Sequence, residues 1–174
     1  DFNTFYLSGI TSAGNNVNAA SNSDFLGRAF TEGALSGVKS IYFNIGWSFG
    51  ALTDDMVTNL KSFIDNGGNL FIAGQDLAWE SCDATSPYFS QTAKDFINQY
   101  LHAGYGADAG GNTSLVGING EYFSSTGTSA ISNSFYGAAN SSFYPDDVTA
   151  LNGGIPVFKY SNGKFAGIRH ANTP

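Results

Sequence analysis

Residues 39–74 read KSIYFNIGWSFGALTDDMVTNLKSFIDNGGNLFIAG, and this stretch decides the predicted fold class. Two short runs rich in β-branched and aromatic residues, at 39–45 and 69–73, predict strands. Thr53 is a suitable N-cap for a helix between them, and Asn66-Gly67-Gly68 provides a left-handed stop. A strand, a helix and a strand within about thirty residues form a βαβ unit, whose strands are parallel and joined by a right-handed crossover. The sequence therefore predicts an α/β fold on a mostly parallel sheet.

Outside this stretch the signals are shorter. Apolar runs and helical spacing predict a strand at 4–7, a helix from Ser23 to Leu35, a helix at 90–101, and β-prone runs at 114–117 and 131–136. The pair Asn162-Gly163 is a preferred two-residue turn and predicts a C-terminal β-hairpin between 156–160 and 164–169. Because the sequence shows no internal repeat and no long linker, we predict one α/β domain over residues 1–174, which can be a piece of a longer chain.

The charge balance excludes some classes of partner. The chain has 7 Lys and Arg against 14 Asp and Glu, a net charge of −7 at pH 7, and no basic stripe that could neutralise phosphates. We therefore predict neither nucleic acid nor an anionic membrane surface as a partner. No run of eighteen apolar residues is present either, so no membrane insertion is predicted.

Composition also bears on compartment and cofactor. Charged residues make up only 12% of the chain, which leaves the surface polar mainly through neutral groups and favours a secreted bacterial protein. The first residues, DFNTFYLSGI, lack the basic and apolar regions of a signal peptide, so a signal was removed or the chain belongs to a longer protein. Cys82 is the single cysteine and no Cys/His cluster occurs, so we predict no metal site and no cofactor.

Several segments resemble a known family. Residues 66–76 read NGGNLFIAGQD and residues 98–103 read NQYLHA, and the later pieces are GING at 117–120, YPD at 144–146 and PVF at 156–158. Over roughly residues 38–170 these resemble the glutamine-amidotransferase-like domain, a flavodoxin-like fold, of large secreted or surface bacterial proteins. The resemblance implies a three-layer, class I glutamine-amidotransferase-like architecture with a mostly parallel sheet.

The same resemblance implies that the family's chemistry is absent. Catalytic members place a cysteine nucleophile in a G-x-C-x-G turn, where the helix end favours its thiolate. Here the corresponding run is Gly74-Gln-Asp-Leu-Ala78, so Asp76 occupies the nucleophile's position. A glutamate normally follows two residues after the catalytic histidine, whereas Asn172 follows His170 in this chain. We therefore predict that glutaminase and cysteine-hydrolase activities are absent.

Each polar candidate has a structural alternative. Asp76 is a candidate acid, base or nucleophile at the carboxyl end of a strand, or simply the N-cap of the next helical turn. Cys82, six residues further on, is a candidate helper together with His170, or a small buried apolar residue. His102 lies late in a predicted helix, where a structural role is favoured. Calcium could bind at Asp146 with Asp147 or at Asp108 with Asn112, although neither pair has a calcium-loop spacing.

An aromatic rim is the candidate binding surface. Trp47 and Trp79 each follow a predicted strand at its carboxyl end, and Gln75 and Asp76 precede Trp79, with Tyr88 and Phe89 further along. In an open parallel sheet these ends converge, and aromatic rings beside a few polar groups suit a glycan or a peptide. The alternative is that these rings only close the end of the sheet.

Three functions remain open from the sequence. The first is a non-catalytic accessory or ligand-binding domain of a secreted or cell-surface bacterial protein, with Trp47, Gln75, Asp76 and Trp79 as binding residues. The second is a divergent hydrolase that uses Asp76 with His170 or Cys82. The third is a purely structural spacer. The sequence does not define the oligomeric state.

Overall fold

The structure is a computed structural model that describes residues 3–17, 23–46, 48–108, 114–130 and 145–171. Its elements, in chain order, are α1 (Asn3–Ser12), α2 (Ser23–Thr31), β1 (Ser40–Gly46), α3 (Asp54–Asp65), β2 (Asn69–Gly74), α4 (Leu77–Cys82), α5 (Gln91–Gln99), β3 (Ala103–Asp108), β4 (Ser114–Gly117), a short 3-10 helix (Ser124–Thr126), β5 (Thr128–Ala130), β6 (Asp146–Ala150), β7 (Ile155–Tyr160) and β8 (Phe165–Arg169). Among these helices, none has both the length and the apolar character that crossing a membrane requires.

The predicted pairing of the first two strands is confirmed. β1 and β2 form a two-stranded parallel sheet, and α3 lies between them in the chain. The stop signal acts as expected, because Gly67 has a φ of +85° and the amide of Gly68 donates to the carbonyl of Phe63 at 2.9 Å. In β1, the side chains of Ile41, Phe43 and Ile45 are buried in alternation, as a strand with one covered face requires.

The larger sheet has six strands in the order β3-β6-β8-β7-β4-β5. Every strand pair within it is antiparallel. Ala103 lies opposite Ala150 where β3 meets β6, and Leu115 lies opposite Tyr160 where β4 meets β7. Most strands of the described chain therefore belong to an antiparallel sheet.

The prediction of a mostly parallel, three-layer flavodoxin-like and glutamine-amidotransferase-like sheet is wrong. Neighbouring parallel strands need a long crossover connection between them, which is usually an α-helix. The described residues beyond α5 include no further α-helix. β7 and β8 are instead connected by a short turn in which Gly163 has a φ of +84°. The predicted C-terminal β-hairpin is thus confirmed.

Other elements follow the predictions to different degrees. The helix predicted at 90–101 is α5, with Ser90 as its N-cap and the hydroxyl of Ser90 accepting from the amide of Ala93 at 3.0 Å. The helix predicted from Ser23 is α2, which ends at Thr31. The strand predicted at 4–7 is wrong, because these residues lie in α1, where a helix satisfies the backbone without a partner strand. The predicted run at 131–136 lies outside the described residues.

The described chain divides into two compact units, each with its own buried residues. The first consists of Asp1–Asn44 and Asp55–Ile72, and its buried apolar residues are Leu26, Ile41, Phe43, Met56, Val57 and Leu60. The second consists of Ile45–Asp54 and Ala73–Pro174, and its buried apolar residues are Ile45, Leu52, Ala78, Ala93, Phe96, Ile97, Val157 and Tyr160. A single domain over residues 1–174 stays a prediction.

The centre of the second unit gives a stability prediction. Phe96 on α5 is fully buried, so Phe96→Ala should lower the free energy of unfolding by about 3–5 kcal/mol, through lost burial and the cavity left behind. Chemical denaturation followed by circular dichroism measures this change. Tyr122→Ala is the control, because Tyr122 is 79% exposed and its loss should cost less than about 1 kcal/mol. Equal losses in both variants would contradict this account of the core.

Candidate functional site

The candidate site lies where β1 and β2 end. The amide of Gln75, directly after β2, donates to the carbonyl of Gly46 at 3.0 Å, so the two strand ends are adjacent, as predicted. Gln75 and Asp76 then lead into α4, which carries Trp79 and Glu80. Trp47, the other predicted binding tryptophan, lies outside the described residues.

Asp146 performs the capping role that the sequence assigned to Asp76. Asp76 occupies the position before α4, but its side chain makes no capping hydrogen bond. The Oδ2 atom of Asp146, the first residue of β6, instead accepts from the amides of Ala78 and Trp79, each at 2.8 Å. The backbone amide of Asp146 also donates to the carbonyl of Gln75 at 3.0 Å. One buried aspartate, distant in the sequence, therefore holds the start of α4.

The environment of Asp146 favours its neutral form. Burial raises the pKa of Asp146 to about 7, and the nearby carboxylates of Asp76 and Asp108 act in the same direction. Its hydrogen bonds from Trp79 and Ala78 oppose this shift without cancelling it. A carboxyl group that titrates near neutrality is therefore built into the centre of the site.

Glu80 is a second buried acid at the site. Its side chain is buried, and Oε2 accepts from the backbone amide of Gly50 at 3.1 Å. Burial raises the pKa of Glu80, the Gly50 bond lowers it, and the carboxylate of Asp76 raises it further. Asp76 in turn accepts from the side-chain amide of Gln75 at 3.2 Å. Asp76 thus lies within electrostatic range of two other acids.

Two buried oxygen atoms of the site lack a donor. Among the described residues, the buried side-chain atoms without a hydrogen-bond partner are Oε1 of Gln75 and Oδ1 of Asp146. Both are acceptors, and both belong to residues whose backbones are hydrogen-bonded to each other. Buried acceptors are usually satisfied, so these two atoms require an explanation.

Three aromatic rings form a platform beside these acids. Phe49 and Tyr88 are stacked, with ring centroids 5.1 Å apart and an interplanar angle of 5°. Trp79 meets Phe49 edge-on, with centroids 6.3 Å apart at 78°. Phe49 is 43% exposed and Tyr88 is 46% exposed, while Trp79 is half-buried. We call Phe49, Trp79 and Tyr88 the aromatic platform.

Hydrogen bonds fix the loop that carries Tyr88. Oδ1 of Asp83 accepts from the amide and the hydroxyl of Thr85, both at 2.8 Å. The buried hydroxyl of Ser86 accepts from the amide of Tyr88 at 3.1 Å. On the other side, Gly50 has a φ of +70°, and a Cβ atom there would lie 3.6 Å from the Tyr88 ring. The platform is therefore held by its own loops before any ligand arrives.

The structure gives Cys82 and His170 different neighbours. Cys82 is half-buried at the end of α4, and burial raises the pKa of its thiol to about 11, with Lys94 and Asp146 as charged neighbours. His170 follows β8, and its ring is stacked on that of His102, with centroids 3.5 Å apart. Cys82 therefore has the character of a buried structural thiol rather than of a nucleophile.

His102 and the calcium candidates also take structural places. His102 comes after α5 has ended, with a φ of +54° and its Nδ1 atom 2.9 Å from the carbonyl oxygen of Asn152. Asp108 ends β3, and Asn112 lies outside the described residues. Within the part of the chain that the structure describes, no group of three or more His, Cys, Asp or Glu side chains could hold a metal ion.

The rim that the sequence predicts, residues 46–50 and 75–80, contains Phe49 and Glu80 without singling them out. Sequence reasoning missed the role of Asp146. The sequence singled out Asp146 in the YPD run at 144–146 and as a calcium candidate with Asp147, and nothing local connects it to α4. Comparison with known proteins finds no matching family model, no matching curated protein and no matching solved structure.

The thiol environment gives a reactivity prediction. Since only the thiolate is alkylated, native Cys82 at pH 7.5 should react with iodoacetamide about 100-fold more slowly than a thiol with the ordinary pKa of 9.0. Its rate should rise about tenfold per pH unit between about pH 7.5 and 9.5. Mass spectrometry measures both rates, and the unfolded chain in denaturant is the control. Fast alkylation of the folded protein at pH 7.5, or turnover abolished by Cys82→Ala, would contradict this assignment.

Proposed function

We propose that this chain is a non-catalytic ligand-binding domain of a secreted or cell-surface bacterial protein, and that its aromatic platform binds a glycan. The observation that carries this proposal is the parallel stacking of Phe49 and Tyr88 at the surface. Exposed rings held at one place exclude water from a ligand at little entropic cost, since they are already ordered. The outer face of such a stacked pair can pack against the apolar face of a sugar ring.

The charge of the chain supports a neutral ligand. A net charge of −7 and a cluster of three acids, Asp76, Glu80 and Asp146, disfavour nucleic acids and other anionic ligands. Glu80 accepts a hydrogen bond from the amide of Gly50, so its carboxyl group helps to position the residue next to Phe49 instead of facing a ligand. A secreted location is supported by the low content of charged residues and by the resemblance of residues 66–76 to a domain of secreted proteins.

The alternative of a divergent hydrolase has less support. A hydrolase that uses Cys82 needs a thiolate, and burial keeps this thiol protonated at neutral pH. One that uses His170 needs a free imidazole, and this ring is stacked on His102. Asp76 accepts a hydrogen bond from Gln75 and raises the pKa of two neighbouring acids. The binding function therefore takes precedence.

A binding experiment with matched aromatic variants tests the proposal. Wild type should bind one or more neutral oligosaccharides on a glycan array at pH 6.5, and calorimetry on the best ligand should show binding at least ~10-fold weaker for Phe49→Ala and for Tyr88→Ala, which is about 1.4 kcal/mol. Tyr122→Ala removes an even more exposed ring elsewhere and should bind as wild type does.

One result would reject the platform, and another would change the class of its ligand. If well-folded Phe49→Ala and Tyr88→Ala proteins bind the glycan with the affinity of wild type, the ligand binds elsewhere. Binding that is strongest for peptides on a parallel peptide array would change the ligand class while leaving the surface intact.

A further inference from the structure

The two unpartnered oxygen atoms at the site share one explanation. Oδ1 of Asp146 and Oε1 of Gln75 are both buried acceptors, and two acceptors cannot satisfy each other. If Asp146 carries a proton on Oδ1, that oxygen becomes a donor. Its Oδ2 atom remains a carbonyl oxygen that can still accept from the amides of Ala78 and Trp79. One proton then provides a donor for Oε1 of Gln75 and an acceptor for Oδ1 of Asp146.

The surrounding charges favour this protonated form. Titratable groups surround Asp146 and its immediate partners on several elements. They are Asp76, Glu80 and Cys82 at α4, Lys94 on α5, Tyr105 and Asp108 on β3, Asp147 on β6 and Tyr160 on β7. Only one of these is a cation. An ionised Asp146 would therefore be a buried negative charge among other acids, which is costly when unpaired.

We propose that Asp146 is a protonated carboxylic acid in the native protein, that its Oδ1 hydrogen is donated to Oε1 of Gln75, and that this proton positions the first turn of α4, which carries Trp79. The raised pKa of Asp146, about 7, agrees with this assignment. Loss of the proton above neutral pH leaves a buried charge and restores two unsatisfied acceptors, so the start of α4 loosens. Asp146 is therefore a positioning residue whose action is controlled by pH.

Stability should depend on pH with a definite sign. The folded pKa of about 7 lies above the ordinary 3.8, so between these values the folded state binds the proton more tightly than the unfolded chain does. Stability should therefore fall as pH rises, and level off above about pH 7. Between about pH 5.5 and 8 the Asp146 contribution corresponds to about a 30-fold loss in the folding equilibrium constant.

Asp146→Asn is the decisive variant, because an asparagine reproduces the neutral acid. Its Oδ1 can accept from Ala78 and Trp79, and its Nδ2 can donate to Gln75. Chemical denaturation from pH 5.5 to 8 should show that this variant loses most of the pH dependence and is more stable than wild type at pH 8. A smaller dependence of the same sign remains from Glu80, whose pKa is also raised. Asp83→Asn is the control and should keep the wild-type dependence, because hydrogen bonds from Thr85 lower the pKa of Asp83.

The results that overturn the proposal are distinct. The native side chain is an ionised acceptor if the Asp146→Asn protein is less stable than wild type at both pH 5.5 and pH 8. The same conclusion follows if this variant keeps the full pH dependence of stability. A wild-type protein that is stabilised by added calcium or magnesium and destabilised by chelator shows that a cation, not a proton, joins the two oxygens. If Asp146→Asn fails to fold, carbon-13 NMR of the wild-type carboxyl groups decides, since Asp146 should titrate near 7 rather than near the ordinary value of 3.8.

The link to ligand binding rests on the proposed function and is tested separately. Glycan affinity of wild type should fall above pH 7, while that of Asp146→Asn should stay constant. No glycan binding at any pH, with the stability results as expected, would reject the proposed function and leave the protonated Asp146 intact. Binding with the same pH dependence in both proteins would reject the positioning role.

Discussion

The two hydrogen bonds that Oδ2 of Asp146 accepts from Ala78 and Trp79 connect elements that are otherwise far apart in the sequence. Asp146 begins β6, which lies between β3 and β8 in the antiparallel sheet. α4 leads to the loop that carries Tyr88 and provides Glu80, which holds Gly50. Through one carboxyl group, the antiparallel sheet therefore determines where the rings of the platform lie.

The second unit buries two acids, although the chain has few cations. Asp146 and Glu80 are buried without a salt bridge, and each is stabilised by backbone amides. The ion pair from Arg169 to Glu121 lies elsewhere, with Arg169 also over the Tyr122 ring. These backbone amides hold the two acids in place, while burial still raises the pKa of both.

The sequence predicted what local signals encode. β1, α3 and β2 were predicted because helical spacing and Gly67 act over short distances, and α5 was predicted because its apolar residues share one helical face. The antiparallel sheet was missed because strands such as AGYGAD at 103–108 and DDVTA at 146–150 carry little β-propensity and depend on their partners. The capping of α4 by Asp146 was missed because it joins residues that only the folded chain brings together.

The strand order has a kinetic consequence. β8 pairs with both β6 and β7, yet it is the last strand of the described chain to be synthesised. During synthesis, the β3–β6 pair and the β4–β7 pair can therefore form before β8 is available. Until residues 165–169 leave the ribosome, each pair has one strand edge without its partner. Open edges can pair with other chains, so this sheet is most prone to aggregate just before its synthesis ends.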